Sequence, residues 1–83
     1  MSAIGKPPPP SVDQAKLHQT EGLRLASLGN LTEAIKHFHS AIQLRPDDPV
    51  CQFNYGLAFQ HLKQLPNAIA AYRKAVQIGR AHV

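Results

Sequence analysis

A shift of 34 residues superimposes the second half of this sequence on the first. Segments 15–48 and 49–82 share eight identical residues, and four more pairs exchange one apolar residue for another. The identities are Gly22/Gly56, Leu23/Leu57, Leu28/Leu62, Leu31/Leu65, Ala34/Ala68, Ile35/Ile69, Ala41/Ala75 and Gln43/Gln77. A fixed period of this length predicts a repeat array, in which each unit buries its apolar face against a neighbour.

The apolar residues within each copy have the spacing of an α-helix. Leu31, Ile35, Phe38 and Ile42 are separated by steps of four, three and four, and the second copy repeats these steps. One stripe of each helix is therefore apolar. We predict an all-α fold with two antiparallel helices in each copy. The predicted helices lie near residues 13–28, 32–45, 49–62 and 66–79.

Residues that favour helix starts stand at these boundaries. Asn30 and Glu33 have the spacing of a capping box at the start of the second helix. Asp48 before Pro49 predicts an N-cap followed by proline at the first helical position of the third helix. Pro66 suits the first turn of the fourth helix, where its missing N–H has no partner to lose.

The two ends of the chain differ in composition from the repeats. The run Pro7–Pro10 predicts a polyproline II leader, with Ser11 or Asp13 as the cap of the first helix. The same prolines contain a minimal P-x-x-P motif. An alternative to a purely structural leader is therefore a ligand for a proline-recognition domain. Gly79 is expected to end the last helix. The predicted organisation is a flexible, proline-rich leader at 1–12, repeats at 13–48 and 49–79, and a frayed tail at 80–83.

Small and aromatic residues recur at matched positions in both copies. They are Gly22, Leu25, Ala34, Phe38, Ala41 and Pro46 in the first copy, and Gly56, Phe59, Ala68, Tyr72 and Ala75 in the second. With this motif the chain resembles the tetratricopeptide repeat (TPR) family over about residues 15–79. The resemblance implies two helix-turn-helix repeats in a short right-handed α-solenoid. The departures are His18 and Gln52, where the family favours Trp or another large apolar residue, Glu21 and Tyr55, where it favours Leu, and Arg80 in place of the closing proline.

The resemblance also implies a function. Members of the family act mainly as non-enzymatic scaffolds, and the first helices of their units line a concave groove that binds a peptide or a partner helix. The groove residues carried over by position are Lys16, Gln19, Thr20, Leu23 and Ser27, and Val50, Phe53, Asn54, Leu57, Gln60 and His61. The amide of Asn54 can both donate to and accept from a peptide backbone. Gln19 and Leu23 stand where chaperone-binding members have Lys and Asn, which argues against a chaperone tail as the ligand.

The fourth helix predicts a second surface. Ile69, Tyr72, Val76 and Ile78 are apolar, and the printed sequence holds no third repeat to cover them. A repeat without a neighbour leaves such a face in water. We expect the isolated chain either to be marginally stable or to self-associate through this exposed docking face on the C-terminal helix, as in a truncated form of a longer array.

Charge leaves one alternative function open. Residues 1–48 hold five cations and five acids, whereas residues 49–83 hold Lys63, Arg73, Lys74 and Arg80 and no acid. Such asymmetry is compatible with a basic adaptor associated with nucleic acid. The four cations are spread over the segment, however, and no nucleic-acid motif accompanies them, so we expect a protein or peptide partner.

Catalytic and metal sites are not predicted. His37 and His39 point about 200° apart around a helix, and no pair of histidines or cysteines has the spacing of a zinc site. No nucleophile turn or phosphate loop frames the other polar residues. We therefore expect no enzyme activity and no cofactor. A regulatory segment of an enzyme whose catalytic part lies elsewhere is a further alternative.

The cellular location is predicted from what the sequence lacks. No apolar run approaches the ~20 residues that span a bilayer, and the N-terminal residues lack a secretory signal. Cys51 is the one cysteine, so no internal disulfide is possible. These features predict a soluble intracellular protein without a membrane partner, in the cytoplasm, with the nucleus or another compartment as alternatives.

Overall fold

A computed structural model of the chain describes the backbone of residues 10–81 and the side chains of residues 14–81. This part of the chain forms four helices and contains no strand. The helices are α1 (Pro10–Ser27), α2 (Leu31–Leu44), α3 (Pro49–His61) and α4 (Leu65–Ala81). The prediction of an all-α fold with two helix-turn-helix units is confirmed.

The helices pack in sequence order. α1 lies against α2 and α3 lies against α4, and these two pairs form the repeat units. The units are joined by a packing contact between α2 and α3, with a smaller contact between α1 and α3. No helix within residues 10–81 is both long and apolar enough to cross a bilayer.

Two helix boundaries differ from the predictions. α1 begins at Pro10 and not near residue 13, because proline is tolerated in a first helical turn, where its N–H would have no partner. α4 continues through Gly79 to Ala81, whereas the predicted tail began at residue 80. Gly79 does not adopt a positive φ, and it therefore does not end the helix. The predicted leader at residues 1–9, the side chains of Ser11 and Asp13, and residues 82–83 lie outside the described part.

The predicted cap of α3 is confirmed and that of α2 is corrected. The Asp48 carboxylate accepts a hydrogen bond from the backbone N–H of Val50 at 2.9 Å, and Pro49 is the first helical residue. Asn30 does stand at the N-cap of α2, but its side chain makes no capping hydrogen bond. Glu33, the other half of the predicted capping box, instead pairs with Lys36 at 3.2 Å, one turn further along α2.

Each repeat closes around a glycine that faces an aromatic ring. A Cβ atom on Gly22 would lie 2.6 Å from Phe38, and one on Gly56 would lie 2.7 Å from Tyr72. Non-bonded carbon atoms prefer separations of about 3.5–4.0 Å. Glycine is therefore required for the aromatic ring to pack this closely against α1 or α3, which explains why both residues recur at the 34-residue spacing.

The turn between the two helices is also repeated. Gly29 and Lys63, 34 residues apart, both have positive φ values, of 83° and 64°. The backbone N–H groups of the next residues, Asn30 and Gln64, reach back to the carbonyls of Leu25 and Phe59 at 2.8 and 2.9 Å. The two helix ends have the same backbone geometry, although only the first uses glycine.

The core lies between α1, α2 and α3. Ala34, Phe38 and Ala58 form a buried cluster, with exposed fractions of 0 to 2%. Partly buried side chains surround it: Leu25, Ala26, Leu31, Ile35 and Tyr55. Small residues at the helix contacts let the axes approach closely, and Phe38 fills the remaining space.

Candidate protein-interaction surfaces

A concave groove lies between α1 and α3. Its volume is about 380 Å³, and its floor includes the buried residues Phe38 and Ala58. The residues that line it are Leu23, Ala26, Ser27, Gly29, Leu31, Phe38, Asn54, Leu57, Ala58 and His61. Most are apolar, and Asn54 and His61 place an amide and an imidazole among them.

Five of the predicted groove residues do line this groove. Leu23 and Ser27 contribute from α1, and Asn54, Leu57 and His61 contribute from α3. The spacing of 54, 57 and 61 puts these side chains on one stripe of the helix. The groove therefore combines an apolar surface with polar side chains that can bind a peptide backbone.

Four other predicted groove residues lie outside this lining. The Gln19 side chain accepts a hydrogen bond from the Cys51 thiol at 3.3 Å, in the contact between α1 and α3. The Gln60 side chain accepts one from the Tyr72 hydroxyl at 2.6 Å. Lys16 and Thr20 are exposed, but they do not line the groove.

Val50 and Phe53 belong to a different surface. They lie with Pro49, Tyr72, Ala75 and Val76 around an open apolar depression of about 500 Å³. The rings of Phe53 and Tyr72 are 5.6 Å apart, in a tilted arrangement. Ile69 and Arg73 extend this surface along α4. We call it the C-terminal face, defined by Val50, Phe53, Ile69, Tyr72, Arg73, Ala75 and Val76.

The C-terminal face contains three of the four residues predicted for docking. Ile69 and Val76 are 54% and 56% exposed, and Val50 and Phe53 are 53% and 49% exposed. Four apolar side chains on one surface are thus each about half exposed to water, which indicates a surface without a partner. Ile78 is half-buried and does not line the face, because a residue two positions after Val76 points about 200° away.

The cations of the second half do not form one patch. Arg73 lies on the C-terminal face, whereas Lys74 lines a depression on the opposite side, with Gln52 and Phe59. Lys63 is in the turn between α3 and α4. Among the described residues, the two ion pairs are Glu21–Arg24 and Glu33–Lys36, so Arg73 is in neither.

Cys51 belongs to the contact between the two repeats. Its side chain is fully buried where α3 meets the first repeat. Burial raises the pKa of the Cys51 thiol to about 11, and the negative charge of Asp48 contributes to the same shift. A thiol that remains protonated is a poor nucleophile.

A histidine pair lies between α1 and α2. The Nδ1 atoms of His18 and His37 are 3.0 Å apart, which means that one ring donates and the other accepts. Histidine spacing within one helix does not predict this pair, because it is the antiparallel pairing of α1 and α2 about the Gly29 turn that brings the two positions together. Within residues 14–81 no group of three or more His, Cys, Asp or Glu side chains is placed to hold a metal ion.

Comparison with known proteins gives the family. Residues 22–63 match the family model described as "TPR repeat", and residues 51–82 match the one described as "Tetratricopeptide repeat". The chain is also similar to Protein O-mannosyl-transferase Tmtc3 of Drosophila melanogaster, with 34% identity over 61 residues. That alignment covers 74% of this chain and 7% of the relative. With two matched repeats and the paired helices described above, the chain belongs to the tetratricopeptide repeat family.

Proposed function

We propose that this protein is a non-enzymatic interaction module that binds an extended peptide or a partner helix in the groove between α1 and α3. Tetratricopeptide repeats generally mediate binding between proteins, and repeat arrays use their concave surface for it. The observation that supports this proposal best is the composition of the groove, an apolar floor with Asn54 and His61 at its edge.

The chemistry of the groove favours a peptide over a small ligand. Leu23 and Leu57 offer apolar contact to alternate side chains of an extended segment. The Asn54 amide offers one donor and one acceptor direction, which match the N–H and C=O groups of a peptide bond. A ligand held in this way is bound largely through its backbone. Its sequence preference then depends on the contacts of its side chains with the apolar groove residues.

A peptide-display experiment tests the proposal. Peptides are selected from a random library on the immobilised chain, and one of them is then titrated calorimetrically against variants. We expect Asn54→Ala and Leu57→Ala to weaken binding about tenfold or more, the loss typical of a central interface residue. Thr20→Ala, on the same side of the chain but outside the groove lining, is the matched control. Equal affinity for all three variants would refute the groove as the binding site.

One observation favours a second candidate function. The similar segment in Drosophila lies in a protein named as an O-mannosyl-transferase, and the chain spans 7% of that protein. The present chain would then act as the regulatory or docking segment of an enzyme, or as a truncated form of a longer array. Adding the chain in trans to a transferase lacking its own matching segment, and measuring the rate, separates this function from a free adaptor.

The nucleic-acid alternative is tested by salt. Binding carried by phosphate contacts falls steeply as ionic strength rises, whereas an apolar, amide-lined groove responds weakly. The dispersed positions of Lys63, Arg73 and Lys74 favour the weak response. Cytoplasmic location stays a prediction, which microscopy of the tagged chain can check.

A further inference from the structure

The two repeats provide an internal comparison for the C-terminal face. Subtracting 34 from Tyr72 and Ala75 gives Phe38 and Ala41, their counterparts in the first repeat. Phe38 and Ala41 are 1% and 0% exposed, whereas Tyr72 and Ala75 are only half-buried. The difference arises because α3 covers the first pair and no described helix covers the second. The structure therefore shows what kind of element fits this surface.

Three residues of α3 show the register of its contact with the first repeat. The Cys51 thiol donates to Gln19 of α1, the Tyr55 hydroxyl lies 3.3 Å from His39 Nδ1 of α2, and Ala58 is buried with Ala34 and Phe38. A helix that covers the C-terminal face in the same register would therefore place three side chains in equivalent environments. Adding 34 to the number of each contacted residue gives its equivalent in the second repeat. Phe53 is the equivalent of Gln19, and Arg73 is the equivalent of His39. Ala68 and Tyr72 are the equivalents of Ala34 and Phe38.

Helix α1 is the counterpart of α3, and nothing in the described part of the chain covers its outer edge. The residues that correspond to Cys51, Tyr55 and Ala58 are Leu17, Glu21 and Arg24. Leu17 is 66% exposed, and Leu28, directly after the end of this helix, is 69% exposed. We define the α1 edge by Leu17, Glu21, Arg24 and Leu28. It is a second surface with exposed apolar residues, at the opposite end of the array from the C-terminal face.

We propose that the C-terminal face binds the α1 edge of a second copy of this chain, head to tail, in the register of the internal contact between the two repeats. In this register Leu17 of the second copy packs on Phe53, and Glu21 of the second copy lies opposite Arg73. An apolar pair and an ion pair thus replace the contacts that Cys51 and Tyr55 make within one chain. The surface is separate from the peptide groove, so the proposal does not rest on peptide binding.

One residue limits the strength of this contact. Arg24 stands where the internal contact has Ala58, which is buried in the core cluster. A guanidinium placed against Ala68 and Tyr72 must give up water or bend out of the interface, and both reduce the affinity. Arg24 also hydrogen-bonds Glu21 through Nε at 3.0 Å, and in the assembly it competes with Arg73 for that carboxylate. The structure therefore supports weak, concentration-dependent association.

Charge argues against the other mode of self-association. In a symmetric dimer through two C-terminal faces, α4 of one copy would lie on α4 of the other. Each α4 carries Arg73, Lys74 and Arg80 and no acid. Arg73 is on the face itself, so two guanidinium groups would approach each other without a counter-charge, which is unfavourable. The head-to-tail mode instead joins the acid-containing first half of one copy to the basic second half of another.

The proposed contact does not close on itself. It uses two different surfaces, so every added copy presents a free face and a free edge, and the assembly grows with concentration. This property allows an experiment that distinguishes the head-to-tail contact from a symmetric contact. Val76→Glu disables only the face, and Leu17→Glu disables only the edge. Each variant alone is expected to be monomeric, whereas an equimolar mixture is expected to form a one-to-one dimer.

Sedimentation velocity over a concentration series measures these outcomes. Lys74→Glu, a charge change on α4 outside the face, is the matched control and should associate like the wild type. Arg24→Ala should tighten association by about tenfold, because it restores the small residue found in the internal contact. Circular dichroism of each variant establishes that it is folded.

Three results would overturn the proposal. The first is a wild-type chain that stays monomeric at high micromolar concentration. The second is a mixture of the two folded single variants that stays monomeric. The third is the pattern of a symmetric dimer, in which Val76→Glu abolishes association and Leu17→Glu does not change it.

Discussion

The contact between Gly22 and Phe38 gives a prediction whose size follows from the structure. In Gly22→Ala, the new methyl group would lie 2.6 Å from Cε1 and 2.8 Å from Cδ1 of the Phe38 ring. The ring is 1% exposed and packed against Ala34 and Ala58, so it cannot swing away without moving a helix. Overpacking of this kind costs about 1–3 kcal/mol of unfolding free energy. The better helix propensity of alanine returns about 1 kcal/mol, so we expect a net loss of about 0–2 kcal/mol.

The equivalent change in the second repeat should be milder. A methyl group on Gly56 would lie 2.7 Å from the Tyr72 ring, a similar overlap. Tyr72 is half-buried, however, and its ring borders the open C-terminal face, so it can rotate toward water. The rotation breaks the hydrogen bond to Gln60, which costs about 1 kcal/mol and is offset by helix propensity. We expect Gly56→Ala to be within about 1 kcal/mol of the wild type.

Urea and thermal unfolding followed by circular dichroism distinguish the two variants. In a domain of this size, 1 kcal/mol corresponds to about 4–8 °C in Tm. The measurements should be made at low concentration, so that self-association does not contribute. Gly79→Ala is the control, because no atom lies within 4 Å of its added Cβ and it should stabilise the chain by up to about 1 kcal/mol. The reasoning is refuted if Gly22→Ala is as stable as Gly79→Ala, or more stable than Gly56→Ala.

Further predictions concern the core, the second turn and the buried thiol. Ala34→Leu should lower the unfolding free energy by about 1–3 kcal/mol in urea titrations, because Ala34 is fully buried between helices; an unchanged midpoint would contradict this placement. Lys63→Gly should raise Tm, corresponding to about 0.5–1 kcal/mol, since glycine adopts the positive φ that lysine now holds at a cost; an unchanged or lower Tm would show no strain there. The pKa of the Cys51 thiol is about 11 in the folded chain against an ordinary 9.0, so the thiol loses its proton at a lower pH in the unfolded chain. The free energy of unfolding should therefore fall by about 2 kcal/mol as the pH rises from about 9 to about 11. Cys51→Ala should lack this part of the decline, and equal pH profiles for the two proteins would exclude the thiol as its source.

The 34-residue period carried most of the fold prediction. It matched Gly22 with Gly56 and Phe38 with Tyr72, and the structure shows why, because each glycine makes room for one ring. Helix number and order followed from the apolar spacing. Gly79 was misread as a helix end because a glycine in a sequence does not reveal its φ value, and here it remains helical.

The candidate surfaces were less predictable, for a geometric reason. Positions on one helix can be assigned to a stripe, and Asn54, Leu57 and His61 line the same groove. Phe53 was assigned to the groove, although it is next to Asn54 and points toward Tyr72 instead. Which neighbour a side chain meets depends on how far one helix is rotated against the next, and sequence spacing within a helix does not contain that rotation.

The repeated turn illustrates the same limit. Lys63 takes the place of Gly29, and lysine gives no sequence signal for a positive φ. The structure recovers the equivalence through the matching backbone hydrogen bonds of Asn30 and Gln64. The same kind of turn thus forms with a residue other than glycine at the positive-φ position.

The central claim, that the groove between α1 and α3 binds a peptide backbone, is tested most directly by mapping the bound peptide. Uniformly ¹⁵N-labelled chain is titrated at low concentration with a peptide selected from the library, and backbone and side-chain amide shifts are followed. We predict the largest changes at Leu23, Asn54, Leu57 and His61, including the Asn54 side-chain amide, with little change at Ile69 and Val76. Large changes confined to the C-terminal face, with the Asn54 amide unmoved, would contradict the account.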